Sequence, residues 1–349
     1  MTILLVSPLP PPAGGIATWT VMYRDYCEKH NIPLHIVNIA LQGDRAKKYS
    51  MKRQVTSEIK RTASVLKDLN KQLRSVKPDV VHLNTSCSKY GIFRDYLCVA
   101  KVHRKGVPVV LHCRCNIKDQ VKSKLGQWAF RRMAKLSDRV LTLNQRSFDY
   151  AEQYAAGKTV TIPNFIEQQS LRLRDTVRPT VKNVIFVGHI QKTKGVLEII
   201  EAAKELPDMQ FNLLGAVQIE LSEVDVPQNV RLPGNQSRDV VLQQLREADV
   251  FLFPSYTEGF ANAMTEAMAS GLPVIATDVG ANKEMIEDHG GIVVPVGDSA
   301  AIVAAMKKLS DDAKLRETMS AWNIGKVQNC YLQVPVMQQL FSVYREIFR

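Results

Sequence analysis

The chain has 349 residues, 45% of them hydrophobic and 23% charged, with 46 Lys and Arg against 34 Asp and Glu for a formal charge of +12. This globular mixture excludes wholesale disorder, and no apolar run approaches the roughly 18 residues a spanning helix needs. At about 100–200 residues per domain, the length fits two domains or a single large one.

The charge is unevenly divided. Residues 1–175 carry 30 basic and 13 acidic side chains, and the remainder carries 16 and 21. The basic half is suited to an anionic partner: nucleic acid, anionic lipid or a phosphorylated substrate. The opening MTILLVSPLPPP has no basic segment and too short an apolar stretch for a signal peptide, so a buried first strand is expected there. Cysteines 27, 87, 98, 113, 115 and 330 are scattered, and no second Cys/His pair joins Cys113 and Cys115. Ordinary thiols in a reducing, cytoplasmic setting are expected.

In chain order, ILLVS (3–7), DVVHL (79–83), VPVVLH (107–112), RVLTLN (139–144) and TVTIP (159–163) have the β-branched character of buried parallel strands. Val55, Ile59, Leu66, Leu69, Leu73 and Val76 have the spacing of one amphipathic helix. A second series follows: NVIFVG (183–188), FNLLG (211–215), VRLPG (230–234), DVFLFPS (249–255), PVIATD (273–278) and GIVVPV (291–296). Two β/α series predict two doubly wound α/β domains, with the polar SLRLRDTVRPT (170–180) as linker.

Three strand-end segments carry chemistry. Gly14–Gly15 precede a helix, where backbone N–H groups can approach a phosphate; the plain alternative is a flexible loop. VGHIQKTKGV (187–196) sets Lys194 at a helix start, as a point charge for phosphate or as a solvated lysine. In FPSYTEGFANAMTEAMASGLPVIATDVGANKEMI (253–286), Glu258 stands in a loop and Glu266 eight residues on, inside a helix. Carboxylates at that edge can accept paired hydrogen bonds from vicinal hydroxyls.

This string resembles the E-x7-E region of the retaining, family 4 glycosyltransferases of GT-B fold. Gly14–Gly15 resemble the family's N-terminal glycine loop, DVVHLN (79–84) its D-x-V-H strand, and His112 its strand-end histidine. IPNF (162–165) resembles the P-N-G segment with Phe165 for glycine, and VGHIQKTKG the G-R-x4-K-G motif with His189 for arginine. Gly280–Ala281 replace a glycine pair ahead of Glu284.

The resemblance implies two Rossmann-like domains facing a cleft: 1–175 for acceptor, 176–328 for nucleotide sugar, and a helix in 329–349 returning to the first. It implies that Glu258 holds hydroxyls of the transferred sugar and Glu266 the ribose. Lys194, helped by His189, would neutralise the departing diphosphate, while N–H groups of Gly259, Phe260 and Ala261 hold phosphate or sugar. Gly15 would meet the donor from the other domain, and His112 would approach the reacting sugar, unless it is a neutral core histidine. The catalytic set is thus Glu258, His112 and Lys194. No D-x-D pair stands in a strand-end loop, so no metal or other cofactor is expected, with the nucleotide sugar as co-substrate.

The implied activity is transfer of a hexose from a nucleotide-diphosphate sugar to a glycan or polyprenyl-diphosphate-linked acceptor in bacterial cell-surface polysaccharide synthesis. The alternatives are a sugar-nucleotide epimerase of the same fold, or a basic nucleic-acid-binding protein. Against the latter, no known binding module is present and aromatics are only 7%. A final expectation concerns KDQVKSKLGQWAFRRMAKLSD (118–138). Val121, Leu125, Ala129, Met133 and Leu136 form its apolar side, and Lys124, Arg131 and Lys135 a basic stripe beside Trp128. Such a stripe fits peripheral binding at the inner leaflet of the plasma membrane, or simply a solvated basic face.

Overall fold

The computed structural model describes residues 1–11, 14–40, 55–171, 177–220 and 224–348. The chain divides into two compact units, 1–162 with 338–349, and 163–337.

The first unit holds a six-stranded parallel sheet of β1 (Ile3–Ser7), β2 (Leu34–Asn38), β3 (Val80–Thr85), β4 (Val109–Cys113), β5 (Arg139–Thr142) and β6 (Thr159–Thr161), in spatial order 2-1-3-4-5-6. The second sheet comprises β7 (Asn183–Val187), β8 (Gln210–Leu214), β9 (Val230–Gly234), β10 (Val250–Phe253), β11 (Val274–Thr277) and β12 (Gly291–Val294), in order 12-11-10-7-8-9. Each order reverses direction once, between β1 and β3 and between β7 and β10. At such a point successive loops diverge and leave a crevice at the carboxyl ends of the strands. The predicted doubly wound architecture is therefore present in both units. The strand missing from the sequence reading is β2. It lies at the sheet edge with only Val37 fully buried, so its polar-interrupted LHIVN lacks the continuous apolar run of a central strand.

In the first unit the two faces of the sheet differ. Leu4, Val6, Val81, Leu83, Val109, Leu111 and Val140 point into an apolar core with Val65 and Leu69 of the helix Val55–Ser75 and Val99 of the helix Gly91–His103. Side chains alternate along a strand, so Ser7, His82, Asn84 and His112 share the opposite face. That face meets the helix Gly15–Lys29 and the end of the helix Gln333–Ile347, where the Tyr344 hydroxyl lies 3.1 Å from that of Tyr23.

Several expectations change. The first unit ends at 162 rather than 175, because Asn164 bonds Asn262 and Ile166 bridges Leu332 within the second. Residues 172–176 of the expected linker lie outside the described residues. Ile59 is 64% exposed while its neighbour Glu58 is buried and pairs with Arg61. The stretch 118–138 is two helices, Ile117–Gln120 and Lys124–Leu136, because the Ser123 hydroxyl accepts from Gly126 N–H and starts a new helix. The buried stripe of that helix is Gly126, Ala129, Phe130, Met133 and Ala134, which leaves Leu125 outside at 61% exposure.

Candidate functional site

In the second unit, β7 and β10 are neighbours, so the segments leaving their carboxyl ends emerge side by side. From β7 the chain passes Gly188 and His189 into a tight turn, Lys192–Lys194, before the helix Val196–Lys204. From β10 it passes Pro254 to Ala261 before the helix Asn262–Ala269. Tyr256 N–H donates to Thr193 C=O at 3.0 Å and locks the two segments together. Gly195 has φ +70, and a Cβ there would strike the Pro254 carbonyl, so this close approach requires glycine.

That packing brings Lys194 and Glu258 into a direct ion pair, Nζ to Oε1, with both side chains mostly buried. Two residues expected to make separate ligand contacts thus neutralise one another in this structure. The Glu258 turn is held from below. Ala281 N–H donates to Gly259 C=O at 3.1 Å, and Gly280, at φ +55, leaves room that a Cβ would take from the Glu258 carbonyl.

Eight residues on, Glu266 lies in the helix Asn262–Ala269 with its Oε1 3.7 Å from Arg238. Burial pushes its carboxyl up from the ordinary value, and Arg238 partly offsets this. Arg238 also reaches Ser170 Oγ at 3.0 Å and Glu167 at 3.3 Å. It is a functional candidate that the sequence reading missed, since Ser237–Arg238 has only the form of a helix start. Phe260 turns its ring edge-on to Tyr331 and is buried, so its backbone is the part left for a ligand. Ala261 is the N-cap and supplies no side-chain cap, which leaves the first N–H groups of this helix without an internal acceptor. Asn164 of the IPNF segment donates to Asn262 Oδ1 at 2.7 Å and braces the same turn. His189 is exposed, with Nδ1 3.4 Å from Gln218 Nε2.

In the first unit, Gly14 and Gly15 are exposed at the mouth of the helix Gly15–Lys29, while Pro12 and Ala13 before them lie outside the described residues. His112 is fully buried. Its Nε2 lies 3.1 Å from Arg114 Nη1 and its Nδ1 3.2 Å from His82 Nε2. Both ring nitrogens are engaged within the fold, and burial, together with Arg114, holds the ring neutral. The group at this strand end with polar atoms to spare is Arg114, which the sequence reading passed over. It sits two residues beyond His112, hence on the same face.

Profiles of two families cover most of the chain: Glycosyltransferase Family 4 over residues 13–170, and Glycosyl transferases group 1 over residues 167–323. The chain belongs to the family 4 glycosyltransferases. A relative, the capsular polysaccharide biosynthesis glycosyltransferase CapM of Staphylococcus aureus, is 30% identical over 177 residues, covering 47% of this chain and 46% of that protein. The match therefore spans less than half of that relative. Among solved structures, sucrose-phosphate synthase of Thermosynechococcus elongatus superposes with TM-score 0.82 at 16% identity, covering 99% of each chain. Anabaena HepE in complex with UDP gives TM-score 0.73 at 16% identity over 99% of this chain and 100% of that one. At these identities the likenesses establish the fold, GT-B.

Proposed function

We propose that this family 4 glycosyltransferase moves a hexose from a nucleoside-diphosphate sugar to a glycan or lipid-linked acceptor in the synthesis of a bacterial cell-surface polysaccharide. The observation that carries this reading is the placement of two carboxylate–cation pairs, Glu258 with Lys194 and Glu266 with Arg238, at one switch point of a Rossmann-ordered sheet. The naming of CapM for capsular polysaccharide and the UDP complex of HepE support it.

In this reading the donor's diphosphate takes Lys194 from Glu258, and the freed Glu258 carboxylate accepts hydrogen bonds from hydroxyls of the transferred sugar. As the sugar–phosphate bond breaks, negative charge grows on the leaving phosphate. Lys194, His189 and the N–H groups of Gly259, Phe260 and Ala261 stabilise that charge more than the ground state. Glu266 holds the ribose with its buried carboxylate, and Arg238 sets the orientation of that carboxylate. The leaving phosphate assists deprotonation of the acceptor on the same face, which gives retention without a protein nucleophile or a resident metal. His112 acts as a positioning residue for Arg114.

A basic, partly apolar surface of the first unit supports work at the cytoplasmic face of a membrane. Trp128, 46% exposed, stands edge-on to Tyr96, next to exposed Leu125 and to Lys124, Arg131 and Lys135. No helix among the described residues is long and apolar enough to cross a membrane. Each basic residue near an anionic surface contributes about 1 kcal/mol. Co-sedimentation with anionic but not neutral vesicles is therefore expected, with loss in high salt and in a Lys124/Arg131/Lys135 triple glutamate variant.

The test of the main reading is a screen of sugar nucleotides for thermal stabilisation, followed by hydrolysis assays with those that bind. Stabilisation by one nucleotide family, abolished in Glu266→Ala, is the expected result. Indifference to every sugar nucleotide would reject the donor site.

A further inference from the structure

Arg114 is a buried cation with no carboxylate paired to it among the described residues. It is 8% exposed, its backbone N–H is fixed on Thr85 C=O at 2.8 Å, and its guanidinium lies 4.4 Å from the centre of the Trp19 ring. The side-chain hydrogen bond seen for it goes to His112 Nε2, and none of the ion pairs among the described residues includes it. Burying a guanidinium that way is costly unless something supplies negative charge.

The hydrogen-bond directions around it are fixed. Arginine only donates, so His112 Nε2 accepts and the proton of His112 sits on Nδ1. That proton goes to His82 Nε2, which places the proton of His82 on Nδ1, facing the Tyr344 hydroxyl. Arg114 is thereby oriented by a neutral chain reaching back to the C-terminal helix.

A second chain runs beside it. Thr20 donates to Ile16 C=O at 2.9 Å, so Ser7 donates to Thr20, and Asn84 Nδ2 must donate to Ser7 Oγ at 2.9 Å. The amide of Asn84 is therefore unambiguous, and its Oδ1 is a buried acceptor that makes no well-aligned hydrogen bond among the described residues, with the His82 ring close by as a weak partner. Asn84 is the register partner of His112 and shares its face. Asn116, two residues beyond Arg114, has a buried Oδ1 that likewise makes no well-aligned hydrogen bond among the described residues. Trp19, under the guanidinium, is one turn into a helix whose N-cap, Gly14, offers no side-chain cap.

We propose that Arg114, with Asn84, forms a subsite for a hydroxylated anion, a phosphate or carboxylate carried by the acceptor sugar. The guanidinium fork takes the oxyanion and the weakly partnered amide oxygen takes a hydroxyl proton. This rests on the glycosyltransferase reading and adds that the acceptor is acidic.

Trp19 gives a reporter of its own, since the anion docks on the cation stacked upon it. In the full chain carrying Trp128→Phe and Trp322→Phe, fluorescence is titrated with glucuronate, glucose 6-phosphate, glucose and UDP. Saturable changes with the two anionic sugars, at least tenfold tighter than with glucose, are expected. Arg114→Gln should abolish that tenfold preference, and Arg114→Lys should keep part of it through the charge. Should Arg114→Gln fail to fold, the intermediate behaviour of Arg114→Lys carries the same comparison. Equal responses to glucose and its acidic counterparts overturn the proposal, as does a loss in the Arg114 variants confined to UDP, which would assign the site to the donor's diphosphate. UDP binding that responds to Glu266→Ala tests the donor reading separately, so either can fail alone.

Discussion

The two units have related sheets, and each has one switch point, yet they equip it differently. In the second unit the crevice holds two mostly buried carboxylate–cation pairs, Lys194 with Glu258 and Arg238 with Glu266, which the proposed function has a ligand exchange. In the first unit the corresponding ground is a buried, neutral hydrogen-bond network, Ser7–Thr20–Asn84 and Tyr344–His82–His112, with one cation at its outer end. The lesson is one of dielectric. Paired charges that keep some access to solvent can be re-paired by an entering ion and suit a site that must capture and release charge. A dry network is rigid and suits a site that must hold one group at a fixed angle.

The largest expected break in this comparison is Glu258→Ala. It removes the carboxylate proposed to hold the sugar and leaves Lys194 without its resting partner, so turnover should fall by about 10²-fold or more with a smaller change in KM. Steady-state kinetics on the donor identified by screening measures it. Equal and small losses in both parameters would strip this pair of its catalytic meaning.

Next comes acid stability, which should belong to the first unit. Burial, then Arg114, lowers the pKa of His82 from 6.5 to about 3, and His112 shifts in the same direction. A lowered folded value means the unfolded chain takes up protons first. Stability present above pH 6.5 is therefore lost as pH falls toward 3, at about 1.4 kcal/mol per pH unit for each histidine. Urea unfolding between pH 7 and 5 should show this slope, reduced by one proton in His82→Gln. A slope unchanged by that variant would mean the network is not the titrating element.

Glu266→Gln should separate binding from stability. Its carboxyl is raised above the ordinary 4.5, so the charge at neutral pH costs the fold stability. The variant should bind nucleotide roughly tenfold more weakly, a loss of about 1.4 kcal/mol. Its thermal midpoint at pH 7 should be higher than that of the parent, and the gap should close below the ordinary carboxylate value. A lower midpoint at pH 7 would show that Arg238 fully compensates the buried charge.

The smallest contrast is between two glycine turns. Gly280→Ala forces a Cβ against the Glu258 carbonyl at a positive φ and should cost roughly 1–2 kcal/mol as well as activity. Gly14 has extended backbone and nothing within 4 Å of a Cβ, so Gly14→Ala should stay within about 0.5 kcal/mol. A fall in donor affinity for Gly14→Ala without a fall in stability would mark that loop as a ligand contact.

Much of this molecule is determined along the chain itself. Alternating β-branched runs and helical periods specify two doubly wound sheets because hydrophobic periodicity is a local property. The spacing from Glu258 to Glu266 and the Lys194–Gly195 turn are likewise local patterns that bring charge to strand ends. Contacts between distant segments follow from no local pattern. The pairing of Lys194 with Glu258 and of Arg238 with Glu266, the support that Gly280 gives to the Glu258 turn, and the edge strand β2 needed the tertiary structure. So did the exposure of Leu125, which turns on a single serine cap at residue 123. His112 shows the division most clearly. Its sequence position at a strand end marks it as notable, but burial, then Arg114 and, 30 residues away, His82 keep it neutral, and only the packed sheet brings those rings and the guanidinium within hydrogen-bonding distance.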